Sequence, residues 1–389
     1  MIVLHSQLIF HNFAPMKKIY LDNASTTQIR PEVIQEMTSV LTLDYGNPSS
    51  THSIGRNAKS ILELARKTIA KLLNTSAQEI ILTSNATEAN NLILRSAVRD
   101  LGVKRIITSK IEHHAVLDTI EALEKEYDIV VYYIAIKPDG EIDITNLVTL
   151  LSGDIKTLVS LIHVNNEIGT VLDLDKVGRI CKQHQAFFHS DMVQSIGKTE
   201  IDLSNSSLDF MVASAHKFHG PKGVGFAFIR KNSGLQPILY GGDQEKGLRP
   251  GTEALHQVVG MSKALEISYK NLFHERNYIS DLKNHLINQL DILFSGYKIN
   301  GNKEGFYTIL NVLLPIEETK TSMIVFHLDM KGIAVSRGSA CQSGSSKPSH
   351  VLGAILSNDD LKKPSLRISF SHLNTIEDID CLLEALQNI

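Results

Sequence analysis

The chain has 389 residues, of which 43% are hydrophobic and 21% are charged, and it contains no tryptophan. This composition is typical of a globular protein with a large core, and the length predicts two domains. A net charge of -3 offers no basic surface for nucleic acid or an anionic membrane. No apolar run is long enough to span a membrane. We therefore expect no direct nucleic-acid partner and no membrane insertion.

The start of the chain and its cysteines indicate a reducing location. Cys181, Cys341 and Cys381 are far apart and form neither a CxxC pair nor a disulfide framework, so we expect a cytoplasmic protein. Residues 1–15 lack the basic start of a signal peptide, and "MKKIYLDNASTT" from Met16 is a more natural beginning. We expect 1–15 to be an unstructured or non-native extension. No Cys/His cluster has the spacing of a metal site, so no metal is expected.

From about residue 80 the sequence alternates between strands and helices. "EIILTS", "RIITS", "YDIVVYYIA", "TLVSLIHV", "AFFHSD", "LDFMVAS" and "GVGFAFIR" read as strands, and helical patterns separate most of them. The strands are almost wholly apolar, which is typical of a sheet with helices on both faces. The sequence therefore predicts an α/β fold with a mostly parallel sheet.

A change of pattern after about residue 270 predicts a second domain. A long helical stretch is followed there by short strands such as "TILNVLL" and "LRISF" with helices between them. "SRGSACQSGSSKPS", residues 336–349, is rich in serine and predicts a mobile loop. The helical positions of Cys181 and Cys381 indicate structural cysteines. The small polar neighbours of Cys341 indicate an accessible thiol.

Five of the predicted strands are followed by polar clusters. "SNATEANN", "EHH", "NNEIG", "DMVQ" and "SAHK" each come directly after an apolar run. The carboxyl ends of parallel strands share one edge of the sheet, so these clusters are expected to converge on one crevice. Alone, Lys217 reads more simply as a loop cation, and Asp191 or Asn166 as a cap. The shared edge favours a functional site.

The residue types in these clusters match the needs of pyridoxal phosphate. The helix that begins at Ala86 and Thr87 suits a phosphate. A carboxylate such as Asp191 suits a pyridinium nitrogen, and a flat ring such as His113 stacks on an aromatic ring. An amine such as Lys217 forms a Schiff base. The sequence therefore predicts a pyridoxal phosphate enzyme.

Motifs along the chain resemble those of the cysteine desulfurases, in the class V aminotransferase group. They run from "YLDNASTT" and "GNPSSTHSIGR" through "TSNATEANN", "EHHAVLDT", "VNNEIG" and "SAHKFHGPKGVG" to "GGDQEKGLRPGT", "SRGSACQSG" and "SLRIS". The "GSAC" loop resembles the NifS/IscS-like branch, which serves iron-sulfur cluster assembly or tRNA thiolation. The resemblance implies the fold type I aminotransferase architecture and a homodimer. Its large domain, 31–270, would hold a seven-stranded sheet, and 16–30 with 271–389 would form a smaller α+β domain that carries the catalytic cysteine.

The resemblance also assigns roles to individual residues. It implies that Lys217 attaches the cofactor, that His113 stacks on its ring and moves protons, and that Cys341 is the nucleophile that takes sulfur from L-cysteine. Arg367 and Asn166 would bind the substrate. The other residues implied to bind the cofactor are Ala86, Thr87, Asn166, Asp191, Gln194, Ser214, His216 and, from the neighbouring subunit, Thr252.

Three departures and several alternatives stay open at this stage. Asn85 and Asp243 stand where the family usually has glycine, and "SFSHLNT" follows Arg367 where a glycine is common. The alternatives are a selenocysteine lyase, an aminotransferase of the same group, and a catalytically silent cofactor-binding or partner-binding protein. An aminotransferase has no use for Cys341 on a loop. The sequence does not specify the sulfur acceptor. The chain stops at "CLLEALQNI", without the longer tail that some relatives use to dock a scaffold protein, which leaves that partner open.

Overall fold

A computed structural model describes residues 17–321, 323–338 and 349–389. Its strands are β1 (Ile19–Tyr20), β2 (Ile80–Thr83), β3 (Arg105–Ser109), β4 (Val130–Ile134), β5 (Thr157–Ser160), β6 (Phe187–Asp191), β7 (Phe210–Ser214), β8 (Gly225–Ile229), β9 (Lys298–Ile299), β10 (Ile309–Leu313), β11 (Ile333–Ala334) and β12 (Ser365–Ser369). The predicted extension over residues 1–15 lies outside the described residues.

The helices alternate with the strands through most of the chain. They are α1 (Pro31–Leu43), α2 (Ser53–Leu72), α3 (Ala86–Arg99), α4 (His114–Glu126), α5 (Ile144–Leu150), α6 (Leu174–Gln183), α7 (Leu255–Lys270), α8 (Leu272–Leu293), α9 (Ile324–Met330), α10 (His350–Ile355), α11 (Asn358–Lys362) and α12 (Ile376–Gln387). Among the described residues, no helix combines the length and apolarity that crossing a membrane requires.

The central element is a seven-stranded sheet in the order β2-β8-β7-β6-β5-β3-β4. Its pairings are parallel from β7 to β4, whereas β8 is antiparallel to both β7 and β2. Six strands therefore run in one direction, and only β8 opposes them. The predicted α/β fold with a mostly parallel seven-stranded sheet is confirmed.

Two apolar clusters cover the two faces of this sheet. One includes Ile69, Phe188 and Phe226, and the other includes Ile93, Ile120 and Phe210. Strands between the two layers are buried throughout, which explains their continuous apolar sequences. The exception is the edge strand β4, whose residues are mostly exposed.

A third apolar cluster lies around a three-stranded antiparallel sheet of β12, β10 and β9. Residues of α8 and α12 contribute to it, and so do Ile19 and Leu21 near the start of the described chain. Strand β1 pairs with β11, which ties this early segment to the later part of the chain. The separate clusters support the predicted division into 31–270 and 16–30 with 271–389, which stays a prediction.

Glycines shape the turn that joins β7 to β8 beside the predicted site. Gly223 has φ of +79°, a conformation that other residues rarely adopt. A side chain at Gly225 would meet the carbonyl oxygen of Ala213 at 2.4 Å and backbone atoms of Asn85 at 3.1 Å. The absence of a side chain at Gly225 therefore lets β8 lie against the start of α3, where the phosphate was predicted to bind.

Candidate active site

The polar clusters that follow β2, β3, β5, β6 and β7 lie at one edge of the sheet, because these five strands run in the same direction. Lys217 ends a short 3₁₀ turn after β7, and Asp191 is the last residue of β6. The charges of Asp191 and Lys217 both act on the His113 ring, which begins α4 after β3. The structure therefore brings the lysine, the carboxylate and the imidazole together.

Lys217 is half-buried and points toward a segment near the start of the chain. Its Nζ donates hydrogen bonds to the carbonyl oxygens of Ala24, at 2.7 Å, and Ser25, at 2.8 Å. The residues on either side of Lys217 pack closely, since a side chain at Gly220 would lie 2.9 Å from Cβ of Ala215. The amine is therefore held at the sheet edge by backbone carbonyl groups that are about 190 residues away in sequence.

Asp191 is buried, and both of its carboxylate oxygens accept hydrogen bonds from neutral donors. Asn90 Nδ2 donates to Oδ2 at 2.9 Å, and the backbone N–H of Val193 donates to Oδ1 at 3.1 Å. These bonds fix the orientation of the carboxylate and leave its negative charge available for a cationic ligand group. Asn90, in the "TEANN" motif, was not predicted as a site residue.

His113 combines a structural role with a position in the site. Its Nδ1 accepts a hydrogen bond from the backbone N–H of Ala115 at 3.0 Å and so caps α4. Burial lowers the pKa of His113, Asp191 opposes that shift, and Lys217 adds to it. The ring is therefore neutral near pH 7, with its proton on Nε2 because Nδ1 acts as the acceptor.

The predicted phosphate-binding residues gather at the start of α3. The backbone N–H of Ala86 donates to Ser214 Oγ at 2.8 Å, and Thr87 follows in the first turn. Asn85, one of the departures from the family pattern, accepts from the backbone N–H of Glu88 at 2.9 Å and caps this helix. A helix start with hydroxyl and N–H groups suits an anion.

His216 and Thr252 have different surroundings. Nδ1 of His216 lies 3.1 Å from Thr26 Oγ1, and burial, with nearby lysines, lowers the pKa of His216 to about 4. Thr252 is exposed. Arg249, three residues earlier, donates to the Glu88 carboxylate at 2.7 Å, which links this segment to the first turn of α3.

The predicted substrate-binding residues are connected to Lys217 through Ser25, which also binds Arg367. Arg367 is 1% exposed and donates to the carbonyl oxygen of Asn166 at 3.0 Å. Its Nη2 donates to Asp22 Oδ1 at 2.7 Å and to Ser25 Oγ at 2.6 Å. Nε of Arg367 is buried and has no hydrogen-bond partner among the described residues. The guanidinium therefore has a buried N–H group available for a ligand.

Gln194 connects Lys217 to a second lysine that the sequence did not reveal. Gln194 Nε2 donates to the carbonyl oxygen of Ala24 at 2.9 Å, the same oxygen that accepts from Lys217. Nζ of Lys198 donates to Gln194 Oε1 at 3.2 Å. Burial, with the charge of Lys217, lowers the pKa of Lys198 to about 7. In the sequence Lys198 looks like an ordinary surface cation after a glycine.

The cysteines differ from one another. Cys341 lies outside the described residues, so its role stays a prediction. Cys181 is buried on α6, as expected, and burial raises the pKa of its thiol to about 12. The prediction that Cys381 is structural is wrong, because it is exposed on the outer side of α12 while the apolar neighbours Leu382 and Leu383 are buried.

The family comparison agrees with this architecture. The family model described as "Aminotransferase class-V" matches residues 19–382, which is nearly the whole chain. The chain therefore belongs to the class-V aminotransferase family.

Individual relatives narrow this class. The chain is 37% identical over 375 residues to "Cysteine desulfurase IscS" of Dictyoglomus turgidum, and the match covers 96% of this chain and 94% of the relative. A solved structure described as "NIFS-LIKE PROTEIN" is 34% identical with a TM-score of 0.88, covering 96% of this chain and 99% of that one. Another, "SspA in complex with cysteine", is 31% identical with a TM-score of 0.80, covering 92% and 100%. The chain belongs to the cysteine desulfurase family, in its IscS- and NifS-like branch.

Proposed function

We propose that this chain is a pyridoxal phosphate-dependent cysteine desulfurase. It removes sulfur from L-cysteine, releases L-alanine and holds the sulfur as a persulfide on Cys341. One observation carries the proposal: Ser25 accepts from the Lys217 amine through its carbonyl oxygen and from the buried Arg367 guanidinium through its hydroxyl. An amine for the cofactor and a cation for the substrate carboxylate are thus separated by one residue.

The residues at the sheet edge fit the chemistry of pyridoxal phosphate. Asp191 offers a fixed, buried carboxylate to the pyridinium nitrogen. The His113 ring is neutral, and the charges of Asp191 and Lys217 both influence its pKa. The start of α3, with Thr87 and Ser214, offers N–H and hydroxyl groups to the phosphate. Gln194 and Asn166 are proposed to contact the phenolic oxygen. Pyridoxal phosphate, when bound, supplies an electron sink for the charge that develops at the substrate α-carbon.

The chain's own residues would perform the proton and sulfur transfers. The Lys217 amine takes the α-proton of L-cysteine, and Arg367 fixes the substrate carboxylate with Asn166 beside it. The thiolate of Cys341 attacks the substrate sulfur, so that an S–S bond forms as the substrate C–S bond breaks. The substrate β-carbon gains a proton, with His113 as a candidate donor, and Lys217 returns a proton to the α-carbon. The products are L-alanine and a persulfide on Cys341.

A homodimer is also proposed. Helix α1 and the residues after it expose large apolar side chains, including Leu41, Leu43 and Tyr45, of which Tyr45 is 78% exposed. Exposed apolar patches of this kind are typical of protein interfaces. The exposed Thr252 is proposed to complete the phosphate site of the neighbouring subunit. A cytoplasmic location and transfer of sulfur to an iron-sulfur scaffold or a tRNA-thiolation protein belong to the same proposal.

The test follows sulfur and carbon from L-cysteine. The purified protein with pyridoxal phosphate is incubated with L-cysteine, alanine is quantified, and each cysteine is examined by mass spectrometry for an added sulfur atom. We expect equal amounts of alanine and persulfide, with the persulfide on Cys341. Borohydride reduction is expected to attach the cofactor to Lys217.

Two controls accompany this experiment. Cys341→Ala is expected to keep the yellow cofactor but form no persulfide. Sulfur found on Cys181 or Cys381 instead, or selenium release from selenocysteine without any sulfur release from cysteine, would contradict the proposal.

A further inference from the structure

A buried carboxyl group binds Ser349 and lies close to Gly338, the described residues on either side of 339–348. Glu167, in the "VNNEIG" motif, is completely buried, and its Oε2 accepts a hydrogen bond from Ser349 Oγ at 2.5 Å. A side chain at Gly338 would lie 3.3 Å from the same oxygen and 3.4 Å from Cβ of Ser349. Residues 338 and 349 therefore meet at one carboxyl group, and the ten residues between them include Cys341.

The chain that leaves this segment is fixed at Ser349. Its Oγ donates to Glu167 and accepts from the backbone N–H groups of Val351, at 3.1 Å, and Leu352, at 3.2 Å, so it caps α10. The next residue, His350, has Nε2 at 2.8 Å from the carbonyl oxygen of Glu112, directly before His113. This side of the segment is thus connected to the candidate active site through consecutive residues.

The chain that enters the segment is fixed beside Arg367. Ser336 Oγ donates to Asp22 Oδ1 at 2.9 Å, and the same oxygen accepts from Arg367 Nη2. The backbone N–H of Arg367 donates to the carbonyl oxygen of Ser336 at 2.7 Å. Two residues later the chain reaches Gly338, where the lack of a side chain allows the close approach to Glu167.

Glu167 is itself held firmly next to the substrate-binding residues. Its backbone N–H donates to Asn165 Oδ1 at 2.9 Å, and its carbonyl oxygen accepts from Asn311 Nδ2 at 3.0 Å. The preceding residue, Asn166, accepts from Arg367 through its carbonyl oxygen. The adjacent residues Asn166 and Glu167 therefore contact the proposed carboxylate-binding arginine and Ser349, respectively.

The burial of Glu167 requires an explanation beyond packing. A carboxyl group is costly to bury, and Oε1 of Glu167 has no partner among the described residues. An apolar side chain would fill the same space without that cost. What the carboxyl group contributes is the contact with Ser349 and, through it, the position of the chain that follows residue 348.

We propose that Glu167 is a positioning residue: by binding Ser349 it fixes the chain that follows residues 339–348, which include Cys341, next to Asn166 and the substrate-binding arginine. This inference rests on the proposed function, because it concerns the step in which Cys341 takes sulfur. It predicts that loosening the contact slows persulfide formation but leaves earlier steps unchanged. Proton exchange at the α-carbon of L-alanine is such an earlier step, because it does not use the Cys341 thiol.

The main test compares two serine variants of the holoenzyme. Ser349→Ala removes a helix cap and the contact with Glu167, whereas Ser357→Ala removes only the cap of α11, where Ser357 Oγ accepts from the backbone N–H of Asp360 at 3.2 Å. We expect Ser349→Ala to slow single-turnover persulfide formation on Cys341 by about 10-fold to 100-fold, as for a small misplacement of a reacting group. α-Proton exchange of L-alanine is expected to stay unchanged in both variants, and Ser357→Ala is expected to form persulfide at the original rate.

Two further measurements separate positioning from general destabilisation. Glu167→Gln keeps an oxygen that accepts from Ser349, so its loss of rate is expected to be smaller than that of Ser349→Ala. Amide hydrogen exchange in the peptide that ends at residue 352 is expected to rise in Ser349→Ala but not in Ser357→Ala.

Each possible outcome has one meaning. Equal persulfide rates in Ser349→Ala and Ser357→Ala would overturn the role of Glu167 and leave the proposed function standing. A parallel loss of α-proton exchange would also overturn it, because the defect would then lie in the site as a whole. Absence of persulfide in the unchanged protein would overturn the proposed function and this inference with it.

Discussion

Arg367→Lys tests whether the buried guanidinium binds the substrate carboxylate. Lysine keeps the positive charge that faces Asp22, but it loses the planar arrangement of N–H groups that binds a carboxylate through two parallel bonds. Arg367 already uses three of its N–H groups on Asn166, Asp22 and Ser25, and its Nε is unpartnered among the described residues. Three ammonium hydrogens satisfy at most these existing acceptors.

The expected loss follows from one charge-assisted hydrogen bond to the substrate. Such a bond contributes about 1.5–3 kcal/mol, which corresponds to a fall of about 10-fold to 150-fold in kcat/KM for L-cysteine. The carboxylate is bound equally in the ground state and the transition state, so the change is expected mainly in KM. The assay is alanine formation over a range of L-cysteine concentrations, with cofactor absorbance measured in parallel.

Arg105→Lys is the matched control. Arg105 is also buried and donates to Thr157 Oγ1 at 2.7 Å and the carbonyl oxygen of Ser152 at 2.8 Å. It begins β3, however, whereas the candidate site lies at the carboxyl ends of the strands. We expect this variant to lose stability without a change in KM. The same KM in Arg367→Lys as in the unchanged protein would refute the assignment of Arg367 to the substrate carboxylate.

Three further predictions concern buried charges. Burial lowers the pKa of Lys198 from 10.5 to about 7, so the unfolded chain binds more protons than the folded chain between these two pH values. The free energy of unfolding therefore rises with pH in this range. Lys198→Met is expected to remove this rise, measured by urea unfolding at pH 7 and pH 9. Burial raises the pKa of Glu112 from 4.5 to about 8, so the free energy of unfolding falls as pH increases across that range. Glu112→Gln is expected to remove this fall in the same urea assay. Glu245→Gln breaks the buried pair with Arg66, at 2.6 Å, and is expected to lower the free energy of unfolding by about 3–5 kcal/mol, whereas Glu126→Gln in an exposed pair costs less than about 1 kcal/mol. Equal losses in the two pairs would contradict the role of burial.

The fold could be predicted because the strands have a continuous apolar pattern. Strands such as β2, β5 and β7 are buried on both faces, and that burial is visible in sequence as runs of Ile, Leu, Val and Phe. The exposure of β4 could not be predicted, since "VVYYI" looks like any other strand and only the strand order puts it at the edge. Strand order depends on contacts between distant residues, which a local pattern does not encode.

The site could be predicted where polar residues interrupt an apolar pattern. Lys217 and His113 follow strands and Asp191 ends one, and the shared edge brings the three residues together without further information. The carbonyl groups that hold Lys217 have no such signal, because every residue has a carbonyl group. Lys198 and Glu245 were missed for a related reason: a charged side chain in a polar loop gives no local sign that tertiary contacts will bury it or pair it.

The segment between β1 and α1 explains how the two sets of elements cooperate in one site. It belongs to the smaller set through β1, which pairs with β11, yet its carbonyl groups at Ala24 and Ser25 hold Lys217 of the large sheet. Asp22, two residues earlier, binds Arg367 on β12. A displacement of this segment would therefore move the acceptors of the lysine and the partner of the arginine together. Four consecutive residues, from Asp22 to Ser25, thus set the distance between the proposed cofactor-binding amine and the substrate-binding guanidinium. They lie within the motif "YLDNASTT", which positions the lysine and the arginine without performing the chemistry itself.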